Sequence, residues 1–140
     1  MIDLTTEFGR KVKKHLTSEY VIWLTTVSRD GTPQPRPVWF IWEDEDTILI
    51  YSEPTAHKIK HVKANPRVSL HFSADTKAEK DVIVLLGSAR LDPDAPTADQ
   101  MPAYLKKYRG GIEGLKTTPE GFGRDYCAAI RVTIESMRGW

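Results

Sequence analysis

Residues 34–67 read QPRPVWFIWEDEDTILIYSEPTAHKIKHVKANPR and contain two strand-like segments followed by a basic one. Residues 38–42 and 47–51 are rich in aromatic and β-branched side chains, which favour β-strands. The acidic residues 43–46 lie between them and are typical of a tight turn. The pattern therefore predicts a β-hairpin that continues into a short basic helix.

The segment after the hairpin carries the groups of an anion site. Pro54 ends the second strand, and Thr55 is the expected N-cap of a helix over residues 56–64. The free backbone N–H groups of such a helix attract anions, and Ser52 and Lys58 add a hydroxyl and a positive charge beside them. Together these groups suit a phosphate monoester. An ordinary surface helix, with Thr55 as its cap and Lys58 in solvent, explains the same spacing.

The composition is that of an ordinary globular protein. The chain has 140 residues, which predicts one domain over residues 1–140. Hydrophobic residues make up 40% of the chain and charged residues 28%, as in water-soluble domains. The net charge of +1 gives no reason to expect nucleic acid or an anionic membrane as a partner. Residues 57–67 nevertheless form a basic strip without any acidic residue.

The single cysteine, Cys127, excludes an intrachain disulfide, and we expect it to be a buried structural thiol. The first residues include an early acid and no apolar segment of the kind found in secretory signals. The longest apolar runs are too short to span a bilayer. These features predict a cytoplasmic location.

The strand before the hairpin, residues 20–28, is apolar on both faces. One face of such a strand suits a barrel interior and the other suits a helix or a second subunit, so we expect a dimer. Pro33, Pro35 and Pro37 cannot donate ladder hydrogen bonds, which predicts an edge strand or an interrupted one. Trp39, just after them, is either a stacking wall for a planar ring or a core residue.

The rest of the chain supplies helices and further strands. An amphipathic helix is predicted over residues 6–17, and a second one opens at residues 94–96. The glycine-rich residues 110–123 are expected to be irregular, as a lid or a subunit contact. Strands over residues 68–73, 82–91 and 128–137 bring the total to six, with a bulge or a close backbone approach at Gly87. These elements predict a mainly β (α+β) fold: a six-stranded antiparallel barrel with flanking helices.

No motif in the sequence identifies a catalytic group. His57 and His61 have the i, i+4 spacing of metal ligands, but no third ligand accompanies them, so we expect no metal site. The chain has no nucleophile elbow and no phosphate-binding or dinucleotide-binding glycine loop. If the protein is an enzyme, a bound cofactor is expected to carry the chemistry.

The order of the segments ending PVWF and YS, followed by TAHKIKHVKANPRVSLHF, GSARL and a terminal RGW, resembles a known family. It is similar to the flavin-binding split-barrel family typified by pyridoxamine 5'-phosphate oxidase, and within it to small members that use the deazaflavin coenzyme F-420. The resemblance covers nearly the whole chain. It implies a six-stranded split β-barrel that forms a homodimer, with the cofactors at the subunit interface.

The resemblance also implies a set of cofactor-binding residues. Ser52 and Lys58 match the positions that hold the cofactor phosphate. Residues 36–39 match the strand that lies along the ring, and Lys60, His61 and, less closely, Arg67 match positions that face its tail. The full expected set is Arg36, Pro37, Val38, Trp39, Tyr51, Ser52, His57, Lys58, Lys60 and His61.

The sequence favours one cofactor without excluding the other. The family's namesake carries an Arg-x-His substrate motif that is absent here, so activity on pyridoxamine phosphate is not expected. The basic strip suits the long anionic tail of the deazaflavin better than the single phosphate of flavin mononucleotide (FMN). We therefore expect hydride transfer between coenzyme F-420 and a small organic substrate. An FMN-dependent oxidoreductase and a non-catalytic flavin-binding module are the alternatives, and Tyr104, Tyr108 and Tyr126 are the candidate proton donors.

Overall fold

A computed structural model describes residues 2–140, which contain seven strands and four α-helices. The strands are β1 Val21–Val27, β2 Pro33–Trp39, β3 Ile41–Asp44, β4 Thr47–Ser52, β5 Arg67–His71, β6 Ile83–Leu91 and β7 Ala128–Gly139. The helices are α1 Glu7–Ser18, α2 His57–Ala64, α3 Pro102–Gly114 and α4 Pro119–Asp125, with a short 3-10 helix at Ala98–Gln100.

All seven strands form one antiparallel sheet in the order β2-β1-β5-β6-β7-β4-β3. The two edge strands, β2 and β3, are separated in the chain by Phe40 alone. The sheet must therefore curl until its two edges meet at this residue, which produces a half-barrel. The count of six strands was wrong because the predicted strand over residues 38–42 breaks at Phe40, and its two halves pair with different partners, β1 and β4.

The junction at Phe40 has no sheet neighbour, and α3 satisfies its backbone groups instead. The Phe40 N–H donates to the Tyr108 hydroxyl at 2.8 Å. That hydroxyl can donate in turn to the carbonyl oxygen of Tyr20 or of Phe40, at 2.7 and 2.8 Å. Lys107 Nζ donates to the Phe40 carbonyl at 3.0 Å and lies 3.7 Å from the centre of the Phe40 ring. The residues of α3 therefore hold the barrel closed.

Strand β1 has one fully buried face and one face that is only partly covered. Ile22, Leu24 and Thr26 point inward, whereas Val21 is 37% exposed and Trp23 is intermediate. On the outer face, Trp23 stacks on His71 with ring centroids 5.9 Å apart. The prediction of an edge strand at the three alternating prolines is confirmed, because β2 pairs only with β1.

The predicted bulge at Gly87 is confirmed. The register between β6 and β7 shifts between Leu86 and Gly87. A side-chain carbon at Gly87 would collide with the carbonyl oxygen of Thr133, so the two strands can approach this closely only with glycine.

Helix α1 lies where the apolar spacing predicted it. Its N-cap, Thr6, accepts a hydrogen bond from the Gly9 N–H at 2.9 Å, and its apolar stripe is buried against the inner face of the sheet at Val12 and Leu16. No helix within residues 2–140 is long and apolar enough to cross a membrane.

The second half of the chain departs from the sequence analysis. Helix α3 begins at Pro102 rather than at residues 94–96, because a turn and the 3-10 helix come first. Residues 110–123, predicted to be irregular, are largely helical and belong to α3 and α4. Cys127 is exposed rather than buried, since it lies between α4 and β7 and not within the strand.

Candidate functional site

A cavity of about 1020 Å³ opens beside β2 and the end of β4. Its wall also includes α2, α3 and α4. Nine of the ten expected cofactor-binding residues line it: Arg36, Pro37, Val38, Trp39, Tyr51, Ser52, His57, Lys58 and His61. The tenth, Lys60, is exposed on α2 and does not line the cavity. Ligand cavities in proteins usually have 300 to about 1,000 Å³, so a molecule of flavin size has room here.

Ser52 and Lys58 meet at one side of the cavity. Ser52 is 1% exposed, and its hydroxyl donates to the Glu53 carbonyl at 2.9 Å. Lys58 Nζ donates to the same hydroxyl at 3.4 Å. Burial lowers the pKa of Lys58, the positive charge of Arg36 lowers it further, and Glu53 partly opposes this. Two cationic side chains therefore share this side of the cavity and repel each other.

The start of α2 adds backbone donors to this polar set. Its N-cap is Ala56, which has no side-chain acceptor. The expectation that Thr55 caps the helix was therefore wrong: the chain turns at Pro54 and Thr55, and the helix begins one residue later than the sequence suggested. The Ile59 N–H is paired with the Ala56 carbonyl at 3.1 Å, so the N–H groups of His57 and Lys58 are the first-turn donors that keep their capacity to bind an anion.

A second polar pair lies beside it. Thr26 Oγ1 is 2.8 Å from Nδ1 of His61, and Thr26 is only 2% exposed. Thr26 was not among the predicted site residues, although a hydroxyl in the buried row of Ile22 and Leu24 was a signal. The ring of His57 lies 6.5 Å from that of His61. In the part of the chain that the structure describes, no three His, Cys, Asp or Glu side chains are placed to hold a metal ion.

Another part of the wall is aromatic. Trp39 lies flat against Tyr108 at 4.7 Å and Phe122 at 5.6 Å between ring centroids, and it also lines the cavity. Trp39 therefore packs in the aromatic core and also lines the cavity, and its role as a stacking wall for a planar ring stays a prediction. Phe122 and Leu115 were missed, because the segment that carries them was expected to be irregular.

The other predicted binding residues and proton donors differ in the contacts that they make. The Tyr51 hydroxyl donates to the Pro96 carbonyl at 2.5 Å, and burial is the main reason why its pKa rises to about 12. Tyr126 is partly buried on the cavity wall. Arg67 lies 2.7 Å from Glu135 in an ion pair, so its charge is already compensated.

The family model described as pyridoxamine 5'-phosphate oxidase matches residues 8–140. The chain belongs to the pyridoxamine 5'-phosphate oxidase family. The resemblance noted from the sequence is thereby confirmed at the level of the family, which includes flavin-binding oxidoreductases.

Known proteins differ in how far they match this chain. Pyridoxine/pyridoxamine 5'-phosphate oxidase from Vibrio vulnificus is 31% identical over 61 residues, which cover 44% of this chain and only 29% of that protein. A solved structure named F420 reductase is 25% identical, with a TM-score of 0.69 over 90% of this chain and 94% of the other.

More distant structures share the fold alone. An FAD-binding protein from Mesorhizobium loti has 20% identity and a TM-score of 0.64, covering 91% of this chain and 88% of its own. The heme storage protein HutZ from Vibrio cholerae has 15% identity and a TM-score of 0.63, covering 96% and 95%. The split-barrel fold of the pyridoxamine 5'-phosphate oxidase family is thus found in proteins with different ligands.

Proposed function

We propose that the protein is an oxidoreductase that binds the deazaflavin coenzyme F-420 in this cavity and serves hydride transfer between it and a small organic substrate. The observation that carries the proposal is the convergence of Ser52, Lys58 and the uncapped start of α2 at one side of a cavity with an aromatic wall. Membership of a flavin-binding family makes a flavin-type ring with a phosphate group the natural occupant.

The residues fit the anionic part of such a cofactor. Lys58 and Arg36 lie close enough for the charge of Arg36 to lower the pKa of Lys58. A phosphate between them would relieve this repulsion and favour the protonated lysine. The free first-turn amides of α2 would supply neutral donors to the same group, and the Ser52 hydroxyl would add one once its proton turns away from the Glu53 carbonyl.

The aromatic wall would position the ring. Trp39 is the last residue of β2 and packs against the rings of Tyr108 and Phe122, so its exposed part is a fixed surface. When bound, the deazaflavin supplies the hydride chemistry. The chain's contribution would be to orient the ring, to exclude water from one face and to hold the phosphate.

The preference for the deazaflavin over FMN rests on charge outside the cavity. Lys60 and Lys63 are exposed on α2, beyond the lined part of the wall. They extend the cationic surface beyond the cavity wall, and we place the anionic tail along it, whereas FMN has no tail. We therefore retain Lys60 and His61 as tail contacts in the proposal. The similarity to a structure named F420 reductase supports the same choice.

Titration of the purified protein with deazaflavin and, separately, with FMN tests the proposal through cofactor fluorescence. We expect tight binding of the deazaflavin and weaker binding of FMN. The opposite order would move the protein to the FMN-dependent branch, and binding of neither would end the proposal. Oxidation of the reduced cofactor by a quinone, absent without protein, would separate an enzyme from a non-catalytic binding module.

We also propose that the protein works as a homodimer with the cavity near the subunit interface. The outer face of the sheet supports this. Trp23, His71 and Val84 form one cross-strand row there, Leu86 lies in the next row, and Val21 is beside them. All five remain partly exposed in the single chain. Light scattering at micromolar concentration should give the mass of a dimer, and Trp23→Glu should shift it to a monomer. A monomer of the unmodified protein would contradict the proposal.

A further inference from the structure

Helix α3 carries two tyrosines one turn apart that differ in a single respect. Tyr104 and Tyr108 are both 0% exposed. The Tyr108 hydroxyl has backbone partners at Phe40 and Tyr20. The Tyr104 hydroxyl has none, and it is the only buried side-chain polar atom within residues 2–140 without a hydrogen-bond partner.

A buried hydroxyl without a partner is rare because it has given up hydrogen bonds to water and gained nothing in return. Phenylalanine would fill the same space without that loss. The protein therefore carries a polar atom that its own fold does not use. In native structures such atoms are explained by strain, by a catalytic role, or by a bound water or ion.

The position of Tyr104 points to a ligand. Although it is buried, Tyr104 forms part of the cavity wall. Its ring packs edge-on against Tyr51 at 5.0 Å and lies 5.9 Å from Phe122, two other wall residues. The cationic side chains of the cavity belong to β2 and α2 instead. An aromatic surrounding of this kind disfavours a charged ligand group and suits a neutral one.

The hydroxyl can act only as a donor or a neutral acceptor. Burial raises the pKa of Tyr104 far above its ordinary value, and the neighbouring tyrosines add to this effect. The proton thus stays on the oxygen at any working pH, and Tyr104 is not a base.

We propose that the Tyr104 hydroxyl donates a hydrogen bond to a neutral carbonyl oxygen of the molecule that binds in the cavity. This inference rests on the proposed function and assigns one further binding residue to it. The carbonyl can belong to the cofactor ring or to the substrate, and the experiment separates these two sources.

The test compares the unmodified protein with Tyr104→Phe, with Tyr108→Phe as the matched control. Without cofactor, Tyr104→Phe should melt at or above the temperature of the unmodified protein, because it removes an unsatisfied group. Tyr108→Phe should melt lower, because it leaves the Phe40 N–H unpaired. Lower melting of Tyr104→Phe would show that the hydroxyl has a structural partner, and would overturn the inference.

Binding and kinetics then locate the carbonyl. A roughly tenfold weaker affinity of Tyr104→Phe for deazaflavin, about 1.4 kcal/mol, would assign it to the cofactor. The infrared carbonyl band of the bound cofactor should shift at the same time. Unchanged affinity with a roughly tenfold higher KM for the quinone menadione would assign the carbonyl to the substrate.

The failures are distinguishable. If the unmodified protein binds the cofactor and Tyr104→Phe matches it in affinity, carbonyl frequency and KM, the role of Tyr104 is refuted while the proposed function stands. If the unmodified protein binds neither deazaflavin nor FMN, both fail together.

Discussion

The junction at Phe40 and the cavity both include residues of helix α3, but they differ in how far their polar groups are hydrogen-bonded within the protein. At the junction, the Phe40 N–H and carbonyl are both paired, with Tyr108 and Lys107. At the cavity, Tyr104 has no partner, α2 has no side-chain cap, and Lys58 has one long hydrogen bond. The difference indicates that groups paired within the protein hold the fold, whereas groups left open are available to a ligand.

Each of the two regions contains a lysine with a lowered pKa, but the surroundings of the two lysines differ. Burial is the main cause at both Lys107 and Lys58. Lys107 is compensated by a carbonyl oxygen and two aromatic rings, and no cation contributes to its shift. Lys58 instead faces Arg36. The positive charge beside Lys58, only partly opposed by Glu53, favours Lys58 over Lys107 as a residue that binds an anionic ligand.

The largest effect on this comparison is expected from Tyr108→Phe. The change leaves the Phe40 N–H buried without a partner and removes the donor to the Tyr20 carbonyl. We expect the free energy of unfolding to fall by about 2 to 4 kcal/mol in urea titrations. A loss below about 0.5 kcal/mol would mean that the junction is held by packing alone.

Next in size is the loss of cofactor affinity in Lys58→Ala. Removing one charged hydrogen bond should weaken binding by about 1.5 to 3 kcal/mol, roughly 10- to 100-fold, with little change in the unfolding free energy. The matched control is Lys60→Ala on the same helix, outside the cavity. As an exposed charge it should weaken deazaflavin binding by less than about 1 kcal/mol. Equal effects in the two variants would remove Lys58 from the phosphate site.

The smallest effect concerns pH and Lys107. The pKa of Lys107 falls from 10.5 in a free chain to about 8 in the fold. Between these values the unfolded chain binds more protons than the folded one, so stability increases as the pH rises. The gain in the free energy of unfolding that comes from Lys107 is complete above pH 10.5. It is lost as the pH falls through about 8.

The difference in unfolding free energy between the unmodified protein and Lys107→Met isolates the pH dependence that is due to Lys107. The unmodified protein should gain about 1 kcal/mol relative to the variant between pH 8 and pH 10. Lys106→Met, an exposed neighbour on α3, should show no such difference. A flat difference for Lys107→Met would place the lysine in water rather than against Phe40.

The sequence predicted the elements whose apolar pattern is local. The stretch from Arg36 to His61 contains most of the cavity wall because one hairpin and one helix follow each other directly. The break at Phe40 had no local signal, since residues 38–42 are strand-like throughout. Only the pairing of each half with a different strand reveals it.

The contribution of α3 and α4 was hidden for another reason. The glycines of this segment predicted an irregular structure, but in the fold they allow the helices to pack closely against neighbouring side chains. A side chain at Gly111 would collide with Tyr20 and Trp39, and one at Gly123 would collide with Asp99. Tertiary contact thus overrides helix propensity there. Tyr104 and Phe122 reach the cavity through this packing, which no spacing rule in the sequence describes.

The strand order has a consequence for biosynthesis. Strand β7 follows every other strand in the chain and lies between β6 and β4, so it alone joins the β3–β4 hairpin to the rest of the sheet. During translation, the hairpin emerges long before this partner does. Leu49 and Ile50 of this hairpin pair with Arg131 and Ile130 of β7. They therefore lack these partners until β7 has left the ribosome. The nascent chain therefore passes through a stage in which an apolar hairpin with an unpaired edge is exposed. Termination of translation before β7 should yield an aggregating fragment rather than a smaller barrel.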